Sequence, residues 1–145
     1  MTAPLLDQRD LEFRLYELFD AESLTSRERY ADHNRETFDA AISTSRTVAE
    51  KYFLPIRQKV DTHQPTFDGE KVQMIPEIQE ALDAVVAAGL ASPSADYELG
   101  GMQLPALVAS VSGAYLSAAA SMTMGYIGLT NANANLINAH GTEQQ

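Results

Sequence analysis

The sequence predicts an all-α fold, a helical bundle of about five helices. Three observations carry this. Apolar residues recur at spacings of three and four over much of the chain. No segment sustains apolar/polar alternation with β-branched enrichment, so strand signals are weak. Pro76 and Pro105 fall where helices begin, and Gly89 and Gly141 where they end. The length, 145 residues, fits one domain, and a chain of this size buries roughly two-thirds of its unfolded surface. With 45% hydrophobic and 21% charged residues it is not a disordered chain.

The elements follow in order. A short helix is expected over 8–19, with Leu11, Leu15, Leu18 and Phe19 on one face. It belongs to an N-terminal extension, 1–33, in which 23–27 is a connection or a short helical turn. The main helical domain is expected over 34–145. Its first helix, 34–62, carries the clearest stripe: Phe38, Ala41, Ile42, Ser45, Val48, Ala49, Tyr52, Phe53, Ile56 and Val60. Pro55 lies inside it, removes a backbone donor and predicts a kink near 52–54. Residues 62–73 read as a loop. Pro76 suits the first position of a helix over 76–88. Ile78, Ala81, Leu82, Val85 and Val86 form its apolar face, and Gly89 can close it in the left-handed conformation. A loop with Gly100 and Gly101 follows. Pro105 then opens a helix to about residue 119, and a last helix spans roughly 123–139 and stops at Gly141.

Charge is distributed unevenly. The chain carries 10 basic and 20 acidic residues, net −10. That argues against nucleic acid or an anionic membrane surface as partner, since both need a basic face. Every Lys and Arg lies at or before Lys71, and 99–142 holds no Asp, Glu, Lys or Arg. Helices freely exposed to water normally interleave both signs, so this half is expected to be covered, in part by something outside these residues. It is broken by glycine, Pro105 and asparagine and lacks the ~18 consecutive apolar residues of a membrane span. The N-terminus has no basic segment followed by an apolar stretch, so no secretory signal is read and a cytoplasmic protein is expected.

Reactive constellations are missing from the residue pattern. Cys is absent, which excludes disulfides, thiolate metal sites and thiol catalysis. His33, His63 and His140 are not at ligand spacing and read as loop or helix-end histidines. Acidic pairs such as Glu36/Asp39 and Glu77/Glu80 read as solvated helix faces. No nucleophile-elbow, Walker or dinucleotide motif occurs, and Gly100-Gly101 alone reads as a chain turn.

An ordered series of residues is more specific. Ala88-Gly89-Leu90-Ala91 is followed by Tyr97, Gly100-Gly101 and Pro105. Two small-residue helices then lead to Ala139-His140-Gly141-Thr142-Glu143-Gln144-Gln145. This resembles the acyl-CoA dehydrogenase family, with its Tyr-Gly-Gly-x-Gly-x-Pro-like loop and its His-Gly-Thr/Ser-Glu-x-Gln-Lys signature. Ala49-Glu50 ahead of Pro55 resembles that family's Ala-Glu-x-x-x-x-Pro helix. Leu15-Tyr16-Glu17, Tyr126 and Gly128-Leu129-Thr130 look like a longer bacterial branch that includes the 3-(methylthio)propanoyl-CoA dehydrogenases. Leu99, Gln103, Gly125 and Ile127 depart from the usual residues.

The resemblance implies the N-terminal helical domain of an FAD-dependent oxidoreductase. The complete enzyme would abstract an α-proton from an acyl-CoA thioester with a Glu and pass a β-hydride to flavin N5. An electron-transferring flavoprotein would reoxidise the flavin, and the enzyme would be a homo-oligomer. The catalytic Glu and most of the FAD site would belong to middle and C-terminal domains, so the chain is expected to be truncated before them. Matching back from His140-Gly141 implies Met124, Gly125, Gly128, Leu129 and Ala132 as the wall of the acyl pocket, their spacing being that of one helix face. Gly125 and Gly128 read equally as residues that permit close helix packing. The alternative from another class is a non-enzymatic helical interaction module. A dehydrogenase-like branch that responds to DNA damage is disfavoured by the lack of any base after Lys71.

Overall fold

Asn34 starts the central helix. Its side chain accepts from the Thr37 backbone N–H at 2.9 Å, and the Thr37 hydroxyl accepts from the Asn34 N–H at 2.9 Å. This reciprocal pair satisfies two otherwise orphan donors, and such a cap is worth about 1 kcal/mol. Helix α2 then runs Arg35–Val48. The computed structural model describes residues 4–144. Met1–Ala3 and Gln145, the last residue of the His-Gly-Thr-Glu signature, lie outside the described residues.

Pro55 acts as its chemistry requires. A regular helix would drive its ring into the carbonyl four residues back. The chain instead widens into a π turn over Ala49–Phe53, tightens into a 3-10 turn over Leu54–Ile56, and resumes as α3, Arg57–Thr62. The distortion lies where the kink is expected. All ten residues of the stripe are buried or half-buried.

The bundle assembles on that stripe. Helix α4 is Pro76–Ala87, with proline at its first turn, and α5 is Ala106–His140. Phe53 lies in one buried cluster with Val48, Ile56, Val85, Leu116 and Ala119. A second cluster holds Phe38, Ala41, Leu104 and Val108. The end of α4 is a Schellman cap. Gly89 stands at φ +72, its N–H donates to the Val86 carbonyl at 3.0 Å, and the Leu90 N–H donates to the Val85 carbonyl at 3.0 Å. Ile78, Ala81 and Val85 are buried as expected, but Val86 is exposed. Four residues fill the inner arc of this short helix, and Val86 falls just outside it.

Two expectations are corrected. The N-terminal helix begins as α1, Gln8–Glu12, and continues as a π turn over Phe13–Leu18. The wide turn breaks the three-four spacing, so Leu15 is buried while Leu18 and Phe19 are exposed rather than sharing its face. The loop expected over 62–73 contains a hairpin of two short strands, β1 Thr66–Phe67 and β2 Val72–Gln73. The last two helices are found as expected, meeting at a kink within α5 where Ala120 is non-helical (φ −157°, ψ 84°). The break falls in the expected gap between them, although no proline or glycine marks it. The surrounding alanines are strong helix formers, so packing imposes the break: Ala119 and Ala120 are both buried against the core.

The hairpin is held by one carboxylate. Asp68 accepts from the Glu70 and Lys71 N–H groups at 2.8 and 2.7 Å and from the Gln73 side chain at 2.7 Å. The hydrogen bond from Lys71, then those from Glu70 and Gln73, lower its pKa to about 2. Because the folded pKa is depressed, the stabilisation is present above the ordinary aspartate pKa and is lost as pH falls toward 2. Asp68→Asn should remove this pH dependence and weaken exchange protection of the 70 and 71 amides at neutral pH. The melting temperature should stay nearly constant, since Phe67 and Val72 are exposed. Hydrogen exchange against pH checks this; a large drop in melting temperature would contradict a local role.

The N-terminal extension is tied onto α2. Leu15 and Ala21 are buried, and the Tyr16 hydroxyl donates to Asp39 at 2.5 Å. Burial, then that hydrogen bond, raises the Tyr16 pKa above its ordinary range. Arg35 lies 4.1 Å above the Tyr16 ring and bridges Glu22 and Asp39.

Candidate functional site on helix α5

Helix α5 has two characters. Before the break, Val108, Ser112, Tyr115, Leu116 and Ala119 are buried and form one wall of the core. After it, burial continues only at Ala120, Thr123 and Ile127. Beyond Ile127 the helix passes the edge of the bundle. One polar anchor holds it there. The Asn131 side chain donates to the Ala91 carbonyl and accepts from the Ser92 hydroxyl at 2.8 Å. Asn131 was not singled out by sequence, where the asparagines of this region counted only as interruptions of an apolar run.

The five residues implied by the resemblance lie on the open side of this segment. At about 100° per residue they occupy one arc of the helix. Met124 sits at its edge, half-buried against the core. Gly125, Gly128, Leu129 and Ala132 are exposed, Leu129 at 77%. A Cβ added at Gly125 or Gly128 would meet no atom within 4 Å. Neither glycine therefore serves close packing among the described residues. Met122, Leu129 and Leu136, seven residues apart, form an apolar edge beside this arc and are all more than half exposed. An apolar surface of this kind is suited to an apolar ligand or a partner.

By length and composition α5 also reaches the size of a membrane-spanning helix, with 39% of its most apolar stretch buried against the rest of the protein. A buried core helix has the same composition.

Cavities elsewhere among the described residues are lined by none of the five. One, of about 570 Å³, lies beside the Ala120 break, with Arg57 and Asp61 in its wall. A dinucleotide needs cationic or backbone N–H groups converging on two phosphates. Arg57 shares its cavity wall with Asp61, and Arg46, which lines a third cavity with Glu12 and Asp39, is paired with Glu50 at 2.8 Å. These residues by themselves do not fit FAD. No group of three or more His, Asp or Glu among the described residues is arranged to hold a metal ion. Glu77 does not simply face solvent: it pairs with Lys59, which with its own backbone lowers its pKa.

The sequence reading also passed over a polar junction between the extension and the 91–105 loop. His33 Nε2 lies 3.0 Å from the Met102 carbonyl and 3.3 Å from the Tyr97 hydroxyl. Gln103 donates to the Arg29 carbonyl at 2.6 Å, and Arg29 bridges Asp96 at 2.5 Å. The available signal was position, since His33 directly precedes the Asn34 cap. Compared with known proteins, the chain matches no family model and no curated protein significantly.

Proposed function

We propose that this chain works as the N-terminal helical domain of an FAD-dependent acyl-CoA dehydrogenase, with the open arc of α5 as one wall of the acyl pocket. The observation that carries the reading is the uncharged segment 121–140, whose Gly125, Gly128, Leu129 and Ala132 face open space. It stands with the ordered residue series from Ala88 to Gln144. In this reading the segment holds the hydrocarbon tail and excludes water from it. The flavin, which supplies hydride acceptance when bound, contacts other parts of the enzyme, and no residue described here carries a chemical step.

The test uses the gene product in its natural length. It should purify with flavin and oxidise acyl-CoA thioesters. Gly128→Leu should then shorten the acceptable chain, because a side chain would occupy space the tail needs. A methylene misfit is worth about 1–3 kcal/mol, so kcat/KM for long chains should fall at least tenfold while short chains persist. Equal loss at all chain lengths together with a lowered melting temperature would make Gly128 a packing residue. A flavin-free natural product inactive on thioesters would favour the helical interaction module.

A further inference from the structure

A second cavity, of about 460 Å³, opens on a different side of the molecule, between α2, the corner after α4 and the 97–104 loop. This volume lies in the range of small-molecule sites. Its floor is apolar and buried: Ala41, Leu90 and Leu104. Small residues on α2, Ala40 and Ala41, leave the space open. Its rim carries two aromatic rings, His33 and Tyr97, with centroids 6.3 Å apart.

The rim is fixed before any ligand arrives. A carbonyl only accepts, so His33 Nε2 carries its proton toward Met102. The Tyr97 oxygen sits beside the same nitrogen. Charge then selects the ligand. The nearby cations are engaged, Arg29 with Asp96 and Arg35 with Glu22 and Asp39. Asp32 lines the cavity and makes no ion pair or side-chain hydrogen bond among the described residues, and no other Asp, Glu, Lys or Arg among them lines it. An anion would meet an uncompensated carboxylate in a chain of net charge −10. A cation would meet that carboxylate and two π faces.

We propose that this groove binds a small hydrophobic ammonium ion, a protonated alkyl- or arylalkylamine. Its head sits between Asp32 and the Tyr97 ring and its hydrocarbon lies on Ala41, Leu90 and Leu104. The proposal does not depend on the acyl-CoA reading. The probe is 2-phenylethylammonium, titrated into the 145-residue chain by calorimetry and by amide chemical shifts. Binding with a dissociation constant of about 1 mM or tighter is expected for so small a ligand, with shifts confined to 32–44 and 88–104. Asp32→Asn should weaken it about threefold to fivefold, the scale of an exposed charge pair, and added salt should do the same. Ala40→Trp, at an exposed position, should weaken it at least tenfold by filling the groove, while unchanged amide shifts elsewhere verify its fold. Equal affinity for 2-phenylethanol or 3-phenylpropanoate would overturn the proposal, as would shifts centred on 122–137 or no saturable binding.

Discussion

Phe53→Ala is expected to lower folding stability by about 3–5 kcal/mol, the range for emptying an aromatic site in a packed core. Phe53 is 0% exposed and lies at the narrowest constraint of the chain, the π turn ahead of Pro55. It shares one buried cluster with Val48, Ile56, Val85, Leu116 and Ala119, so the packing of its turn against α2, α4 and the first part of α5 is loosened together. Typical domains have only 5–15 kcal/mol in total. The melting temperature should therefore drop by about 6–20 °C at this chain length. Phe67→Ala is the control, since Phe67 is 68% exposed on the hairpin and should change stability by less than about 0.5 kcal/mol. Urea denaturation of both variants measures this. A loss below about 1 kcal/mol for Phe53→Ala would mean that the cluster is loosely packed or that the π turn collapses into the vacated space.

The stripe that contains Phe53 was the most legible part of the sequence. Ten positions at helical spacing leave one solution for which face goes inward, and proline inside them must distort the backbone. The ends of α4 were equally plain, because Pro76 and Gly89 act through backbone chemistry that few neighbours can override. Legibility failed where structure does not repeat. Two-residue strands have no period; the hairpin comes from a single carboxylate, Asp68, bracketing three donors. The Phe13–Leu18 π turn is invisible to a pattern that assumes regular turns, so Leu18 and Phe19 were assigned to a face they leave. At Ala120 the expected gap between two helices was placed correctly, but its cause is packing, which no residue there announces.

The candidate site was legible in a different sense. Met124, Gly125, Gly128, Leu129 and Ala132 were reached through resemblance and helix spacing; a glycine on a helix has no chemical signature of its own. What the sequence alone carried was the absence of Asp, Glu, Lys and Arg over 99–142. The structure locates the consequence: the first part of α5 is buried in the core, and the later part stands open. The amine groove escaped entirely, because Asp32, Tyr97 and Ala41 come together only when the extension and the 91–105 loop meet.

That meeting depends on Gly101, and its replacement by alanine is the second large effect expected. An added Cβ would stand 2.7 Å from the Ala95 Cβ and nearer still to the Ala95 carbonyl. The obstacle is backbone, so no flexible side chain can move aside. The loop is also closed around this point. The Gly101 N–H donates to the Asp96 carbonyl, that of Gln103 to Ala95 and that of Leu104 to Pro93, at 3.0, 2.9 and 2.9 Å. Forcing 95 and 101 apart strains these bonds and lifts Leu104, which is buried beside Phe38 and Val108. Overpacking a tight site costs about 1–3 kcal/mol, and the shared hydrogen bonds put Gly101→Ala at the upper end. The neighbouring glycine separates this cause from backbone conformation. Gly100 stands at φ +77 with nothing within 4 Å of an added Cβ. Gly100→Ala should therefore lose only the left-handed penalty, about 1–2 kcal/mol. Gly101→Ala should melt below Gly100→Ala, and it should also disturb the His33 and Arg29 amide signals through the bonds that reach them from Met102 and Gln103. If the order of the two melting temperatures were reversed, the pair would matter for turning the chain, and the close approach to Ala95 would be a contact the loop can relax.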